Sequence, residues 1–222
     1  MTGATVHIVD GDVQVREALA AMAEHAGFLV RAHPTAEAFL AQAALDDAGC
    51  VVADVNLPGL DGLGLLERIG QCDTDLPVIV ISGESRVAPA VAALKAGAVD
   101  FLQKPVGRGA FIRCLADALA RRRRLAEQRR AVALAQRCAD RLSERERDVM
   151  RLITAGASNQ EAARRLGISV RTVENHRARV MEKMGATTLA DLIRQALRLE
   201  DTAPARWAPS APAGGELTLS PQ

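Results

Sequence analysis

The chain has 222 residues, 49% of them hydrophobic and 25% charged, with a formal net charge of +1, which suits one large globular domain or two small ones. Its apolar runs fall well short of the ~18 residues of a membrane span, and the opening MTGATVHIVDGD lacks the charged start and apolar core of a secretory leader. We therefore expect a cytoplasmic protein without membrane contact, and the cysteines at 50, 72, 114 and 138, none at zinc-ligand or redox spacing, read as reduced core thiols.

The near-neutral total hides an asymmetry. Residues 1–107 carry net −8, residues 108–140 net +6, residues 141–199 net +5 and residues 200–222 net −2. An acidic front and a basic back imply two modules, the back one suited to a polyanion; charge by itself fits a solvated basic surface equally well.

In chain order, short apolar runs occur at TVHIV (5–9), FLVRA (28–32), CVVAD (50–54), LPVIVI (76–81) and AVDFL (98–102). Segments of helical periodicity, such as VREALAAMAEHAG and AVAALKAGA, lie between them. Alternating strands and helices predict an α/β doubly wound, five-stranded parallel sheet covered on both faces. From Arg108 to about Cys138 the pattern is one long helix that includes the basic run RRRRLAEQRR. Four short helices follow. Ser143 with Glu146 and Ser158 with Glu161 have capping-box spacing; Ser169, and Thr188 with Asp191, open the next two. Gly156, Gly167 and Gly185 stand where helices should stop, and LGIS joins the second and third in the manner of a helix-turn-helix. The Ala-, Pro- and Gly-rich tail reads as disordered.

In doubly wound sheets, ligands gather beyond the carboxyl ends of the strands. The residues at those ends here are Asp10 and Asp12, Asp54, Ser82 and Lys104. Open carboxylates suit Mg²⁺, which prefers oxygen ligands and keeps several waters. An aspartate can attack a phosphoryl group, and a cation, an amine and a hydroxyl can neutralise the transferring oxygens.

With its ISG step, its KP pair and the spacing D-x-x-L-P-x-x-x-G from Asp54 to Gly62, the segment 5–120 resembles the receiver domain of two-component response regulators. The resemblance implies that Asp54 is the phosphoacceptor, Ser82 the switch hydroxyl, Lys104 the phosphate-pairing base and Phe101 the switch aromatic. It also implies a cis Lys104–Pro105 bond, and a metal held by Asp10, Asp54 and the backbone carbonyl of Asn56. Receivers usually carry two adjacent acids after the first strand; here Gly11 takes the second place and Asp12 follows one residue late. Asp12 either caps the first helix or swings back onto the metal. Loss of one carboxylate should weaken Mg²⁺ binding in either case.

The motifs L-S-x-R-E-x-x-V (142–149), G-A-S-N-Q-E-A-A (156–163), I-S-x-R-T-V-E-N-H (168–176) and KMGA (183–186) resemble the LuxR-type helix-turn-helix domain. In the presumed reading helix, Val173, Val180 and Met184 recur at core spacing, and His176 falls on that side as a buried, satisfied histidine. Arg171, Glu174, Asn175 and Ala178 lie opposite, where they would approach base edges; Arg177, Arg179 and Lys183 suit phosphates, and Ser158 and Asn159 could hold a phosphate at a helix start.

Together the halves resemble a FixJ-type regulator of the NarL/LuxR class: receiver over 1–120, helical basic linker over 121–140, small all-α DNA-binding domain over 141–199 and tail over 200–222. The resemblance implies a transcription factor, not an enzyme, that a sensor histidine kinase phosphorylates on Asp54. Phosphorylation would promote a homodimer through the face near 87–102, which then binds double-stranded DNA; RNA polymerase is a further partner such a regulator can meet. Two rival readings are a kinase-independent DNA binder, for which Gly11 speaks, and a phosphoryl-relay module.

Overall fold

The computed structural model describes residues 4–42, 48–72, 74–83 and 87–202. The chain forms two compact units that divide between Glu127 and Gln128.

The first unit is a five-stranded sheet of order β2-β1-β3-β4-β5, parallel throughout. Its strands are β1 (Thr5–Val9), β2 (Leu29–His33), β3 (Ala48–Asp54), β4 (Val78–Ser82) and β5 (Asp100–Gln103). Between them run α1 (Val13–His25), α2 (Ala36–Gln42), α3 (Gly62–Gly70) and α4 (Val87–Lys95), and α5 (Arg108–Asp140) follows. Side chains alternate across the sheet, as strand geometry requires. Val6, Ile8, Cys50, Val52, Ile79 and Ile81 pack with Leu19, Phe111 and Leu115 of α1 and α5. Val9, Val51, Ala53, Val78 and Val80 pack with Phe39, Leu65 and Leu66 of α2 and α3. Burial on both faces explains the near-continuous apolar strands.

Three strands, β2, β4 and β5, start later than their apolar runs, and before β2 and β5 a helix exit takes the first residues. Phe28 donates its amide to the Ala23 carbonyl, and Ala98 donates to Ala93, each just after a glycine at positive φ, Gly27 at 88° and Gly97 at 103°. The exits of α1 and α4 use these residues before pairing begins.

The second unit contains the last turns of α5 with α6 (Glu144–Thr154), α7 (Asn159–Leu166), α8 (Val170–Met184) and α9 (Leu189–Thr202). Its core is built from Val149, Met150, Ile153, Val173, Val180, Leu192 and Leu199, and Ala135 and Ala139 of α5 are buried within it. Part of the segment read as a connector thus belongs to this core. Both expected capping boxes form, at Ser143/Glu146 and Ser158/Glu161. Between α7 and α8, Gly167 adopts φ 67°, and Ser169 then caps α8 by accepting from the Thr172 amide. Glu200–Thr202 complete α9, so the start of the expected tail is helical, and the rest of that tail lies outside the described residues.

Cys50 and Cys114 are buried, with burial pushing the Cys50 thiol up to about 12, whereas Cys72 is exposed and Cys138 intermediate; the reading of all four as core thiols is corrected to that extent. A buried histidine pair lies under α2: His7 Nδ1 and His33 Nε2 are 2.9 Å apart, and both rings meet Phe39 edge-on. Burial is the main cause that lowers both pKa values, and the charges of His33 and Arg31 add to it at His7, which falls from 6.5 to about 4. The unfolded chain therefore takes up a proton near pH 6.5 that the folded chain refuses until about pH 4. Stability present above pH 6.5 is lost as pH falls toward 4. Thermal melts of the protein should show a falling midpoint across that window, with a smaller slope in His7→Gln; a midpoint that stays level in the parent would contradict this.

Candidate functional site

The parallel register sets the site. Val9 pairs with Ala53, Asp54 with Ile81, and Ser82 with Gln103. Asp10, Asp54, Ser82 and Lys104 consequently stand abreast at one sheet edge, and Lys104 donates its amide to the Ser82 carbonyl at 2.8 Å. The Lys104–Pro105 bond is cis.

Lys104 Nζ lies 2.8 Å from Asp10 Oδ2 and 3.0 Å from Asp54 Oδ2, bridging the two carboxylates. Burial works against its charge, but hydrogen bonds and attraction from Asp10 and Asp54 outweigh that and raise its pKa. Asp10 is 1% exposed and Asp54 8%, so this pair is sheltered from screening. Asp10 Oδ1 accepts from the Asp12 amide at 2.9 Å. Asp54 Oδ1 is buried and has no hydrogen-bond partner among the described residues, which leaves one carboxylate oxygen unpartnered. Ser82 is fully buried, and Phe101 is half-buried against the α2–α3 side of the sheet.

Asp12 is the N-cap of α1, accepting from the Gln14 and Val15 amides at 2.8 and 3.3 Å. Of the two readings of this residue, the cap is present: its Oδ1 serves amides that α1 itself leaves without partners. Among the described residues no group of three His, Cys, Asp or Glu side chains is placed to hold a metal. Two carboxylates, one with an unpartnered oxygen, remain beside the loop that carries Asn56. That set fits a hard cation which keeps most of its waters, with fewer charges than a three-acid site. Gly11 is exposed and its φ is not positive; an added Cβ would meet Pro58 Cδ at 3.3 Å, so a side chain there needs a shift of a few tenths of an ångström.

Two residues missed in the sequence also hold this edge. Arg16 Nη1 donates to the Asp10 carbonyl at 2.6 Å, and Glu37 Oε1 accepts from the Leu60 amide at 2.9 Å. Each bond crosses from a helix to a loop, and no local motif announces it.

In the second unit, α8 divides as its spacing predicted. Val173, Val180 and Met184 are buried, whereas Arg171, Glu174, Asn175, Ala178 and Arg179 are exposed. Lys183, expected at a phosphate, has its Nζ 2.6 Å from Glu146 Oε2, whose side chain is 3% exposed. This ion pair ties the end of α8 to the start of α6. Burial opposes the Glu146 charge, but Lys183 and the Ser143 amide and hydroxyl prevail and bring its pKa down to about 2. Arg177 Nη1 donates to Asn159 Oδ1 at 3.2 Å, so a guanidinium sits at the start of α7. His176 is half-buried and its sheltered Nδ1 has no hydrogen-bond partner among the described residues; the expectation of a satisfied core histidine is corrected. It stands 60° round the helix from Val173, at the margin of the apolar stripe, by the ~100° step of an α-helix.

A sheet edge with a lysine-bridged aspartate pair, followed by a capped helix-turn-helix, defines a receiver with a DNA-binding output module. Residues 6–116 match the response regulator receiver domain family, and residues 140–196 match the bacterial regulatory proteins of the luxR family. The chain is 42% identical over 200 residues to the transcriptional regulatory protein FixJ of Azorhizobium caulinodans, covering 90% of this chain and 94% of that one. It is 43% identical over 196 residues to the tetrathionate response regulatory protein TtrR of Salmonella typhimurium, covering 86% and 91%. Among solved structures, full-length FixJ from B. japonicum aligns with a TM-score of 0.58 at 39% identity, over 90% of this chain and 99% of that one. The response regulator StyR aligns with a TM-score of 0.75 at 30% identity, over 89% and 100%. The chain belongs to the FixJ-like two-component response regulators, with a receiver and a LuxR-type DNA-binding domain.

Proposed function

We propose that this regulator, working in the cytoplasm and not as an enzyme on outside substrates, is switched by phosphorylation of Asp54. The observation that carries the reading is the unpartnered Asp54 Oδ1 beside the Lys104 bridge. The donor is a phosphohistidine of a sensor histidine kinase. Asp54 Oδ1 attacks phosphorus, a P–O bond forms, the P–N bond breaks, and the departing imidazole takes a proton from solvent. Asp10, Asp54 and the Asn56 carbonyl would hold Mg²⁺, which supplies positive charge to the transferring phosphoryl oxygens. Lys104 exchanges a carboxylate for the new phosphoryl group, Ser82 gives it a hydrogen bond, and Phe101 moves from half-buried to buried.

Val91 and Leu94 of α4, 42% and 51% exposed, offer apolar surface for a homodimer through α4 and β5. Paired α8 helices then enter the major grooves of two half-sites on double-stranded DNA. Asn175 suits adenine, Glu174 a cytosine amine and Arg171 guanine, with Ala178 in apolar contact. Arg177, Arg179, Ser158 and Asn159 position the backbone. RNA polymerase is met from the bound state.

The test of the acceptor reading is phosphoryl uptake from acetyl phosphate at stepped Mg²⁺, read by intact mass. The parent takes up one group, and Gly11→Asp half-saturates at about threefold to tenfold lower Mg²⁺, because a third carboxylate joins a hard-cation site. Identical Mg²⁺ curves would contradict the deficit assigned to Gly11, and absence of uptake in both proteins would contradict the acceptor role.

A further inference from the structure

We propose that Glu37 of α2, outside the carboxylate cluster, is a positioning residue of the site: it holds the β3–α3 loop so that the Asn56 carbonyl faces the cation position. The proposal rests on the metal-holding role given to that carbonyl above. The loop runs from Val55 to Asp61, and most of it is anchored by its own ends. Val55 donates to the Ile81 carbonyl at 2.9 Å, Gly62 donates back to Val55 at 3.0 Å, and Leu57 is buried at 7% exposure. The crest at Pro58–Leu60 is exposed or half-buried, and another element reaches it: Glu37 Oε1 accepts from the Leu60 amide.

The fit at this crest is close. Gly59 adopts φ 78°, and a Cβ built on it would lie 2.6 Å from Glu37 Oε1. A carboxylate therefore sits directly over a backbone that bends where few residues but glycine can. The Leu60 amide foremost, with Glu37's own amide and the Thr35 hydroxyl nearby, lowers the carboxylate's pKa. It stays an anion at neutral pH and a stronger acceptor for that reason. Glu37 is exposed, so replacing it opens no core cavity. A site with only Asp10 and Asp54 as side-chain ligands depends more on its carbonyl, and the carbonyl's placement depends on the loop.

The experiment uses the full chain and Mn²⁺ as the probe, with free Mn²⁺ read by electron paramagnetic resonance. Glu37→Ala should bind Mn²⁺ about threefold to tenfold more weakly, a part of what one charge-assisted hydrogen bond contributes, with an unchanged thermal midpoint. Glu37→Gln keeps an acceptor oxygen and should stay within about twofold of the parent. Parent-like affinity in Glu37→Ala overturns the proposal. So does an equal loss in Glu37→Gln, which would assign the effect to charge alone. If the parent itself takes no Mn²⁺, the metal reading fails separately. Hydrogen exchange at the Leu60 amide of the metal-free protein then decides: about tenfold faster exchange in Glu37→Ala supports the tether, and unchanged exchange overturns it.

Discussion

Asp54→Asn should take up no phosphoryl group at any Mg²⁺ concentration, a loss of at least ~10³ in rate, because a neutral amide is no nucleophile for phosphorus. The unpartnered oxygen of Asp54 is buried in the site. Asp10 is the nearest rival, but its Oδ1 already accepts from the Asp12 amide and its Oδ2 faces Lys104. The fold should survive. Removing one of two buried anions leaves Lys104 with Asp10 in a one-to-one pair, 2.8 Å apart, and avoids the stranded charge that makes such losses costly. Intact mass after acetyl phosphate measures uptake, and DNA binding of this variant should be the same with and without the donor. Uptake at the parent rate would move the acceptor elsewhere.

The second large effect belongs to Lys183→Met. Glu146 would keep its buried carboxylate but lose the ammonium 2.6 Å away. Breaking a buried pair from one side is severe, and since Lys183 is about one-third exposed we discount the full penalty to about 2–3 kcal/mol. Chemical denaturation monitored in the second unit should show that loss. DNA binding supplies an independent check. A lysine on a phosphate contributes about one unit to the salt slope, so Lys183→Met should weaken binding through α8 and leave the slope unchanged. A slope lower by about one would return Lys183 to the phosphates. The same pair predicts acid behaviour. Unfolded Glu146 binds a proton near pH 4.5 and the folded residue near 2, so this stabilisation is present above 4.5 and is lost as pH falls toward 2. In Lys183→Met that pH dependence should shrink.

Much of this was legible because the motifs sit where geometry leaves little choice. Strand ends of a parallel sheet must meet at one edge, so Asp10, Asp54, Ser82 and Lys104 could be grouped before any coordinates. Helix starts were legible for the same reason, since a serine with a glutamate three residues on satisfies amides no other local group can reach. Gly11 marked the missing acid directly. What the sequence concealed were bonds between elements far apart in the chain. Nothing near Glu37 signals Leu60, and nothing near Arg16 signals the Asp10 carbonyl. For Lys183, helical spacing gives a direction and not a partner: its long side chain reaches Glu146, a residue whose capping role was visible and whose second bond was not. Asp12 was open between two roles, and of these the cap is made by one oxygen, which accepts two α1 amides.

The central claim is that loading Asp54 controls the DNA-reading unit. A duplex chosen from a random pool by the phosphorylated protein, titrated by fluorescence anisotropy at several salt concentrations with and without acetyl phosphate, measures it directly. The account predicts tight binding with a steep salt slope when the donor is present and weak binding when it is absent. Equal affinity in the two conditions, at every salt concentration, would contradict it.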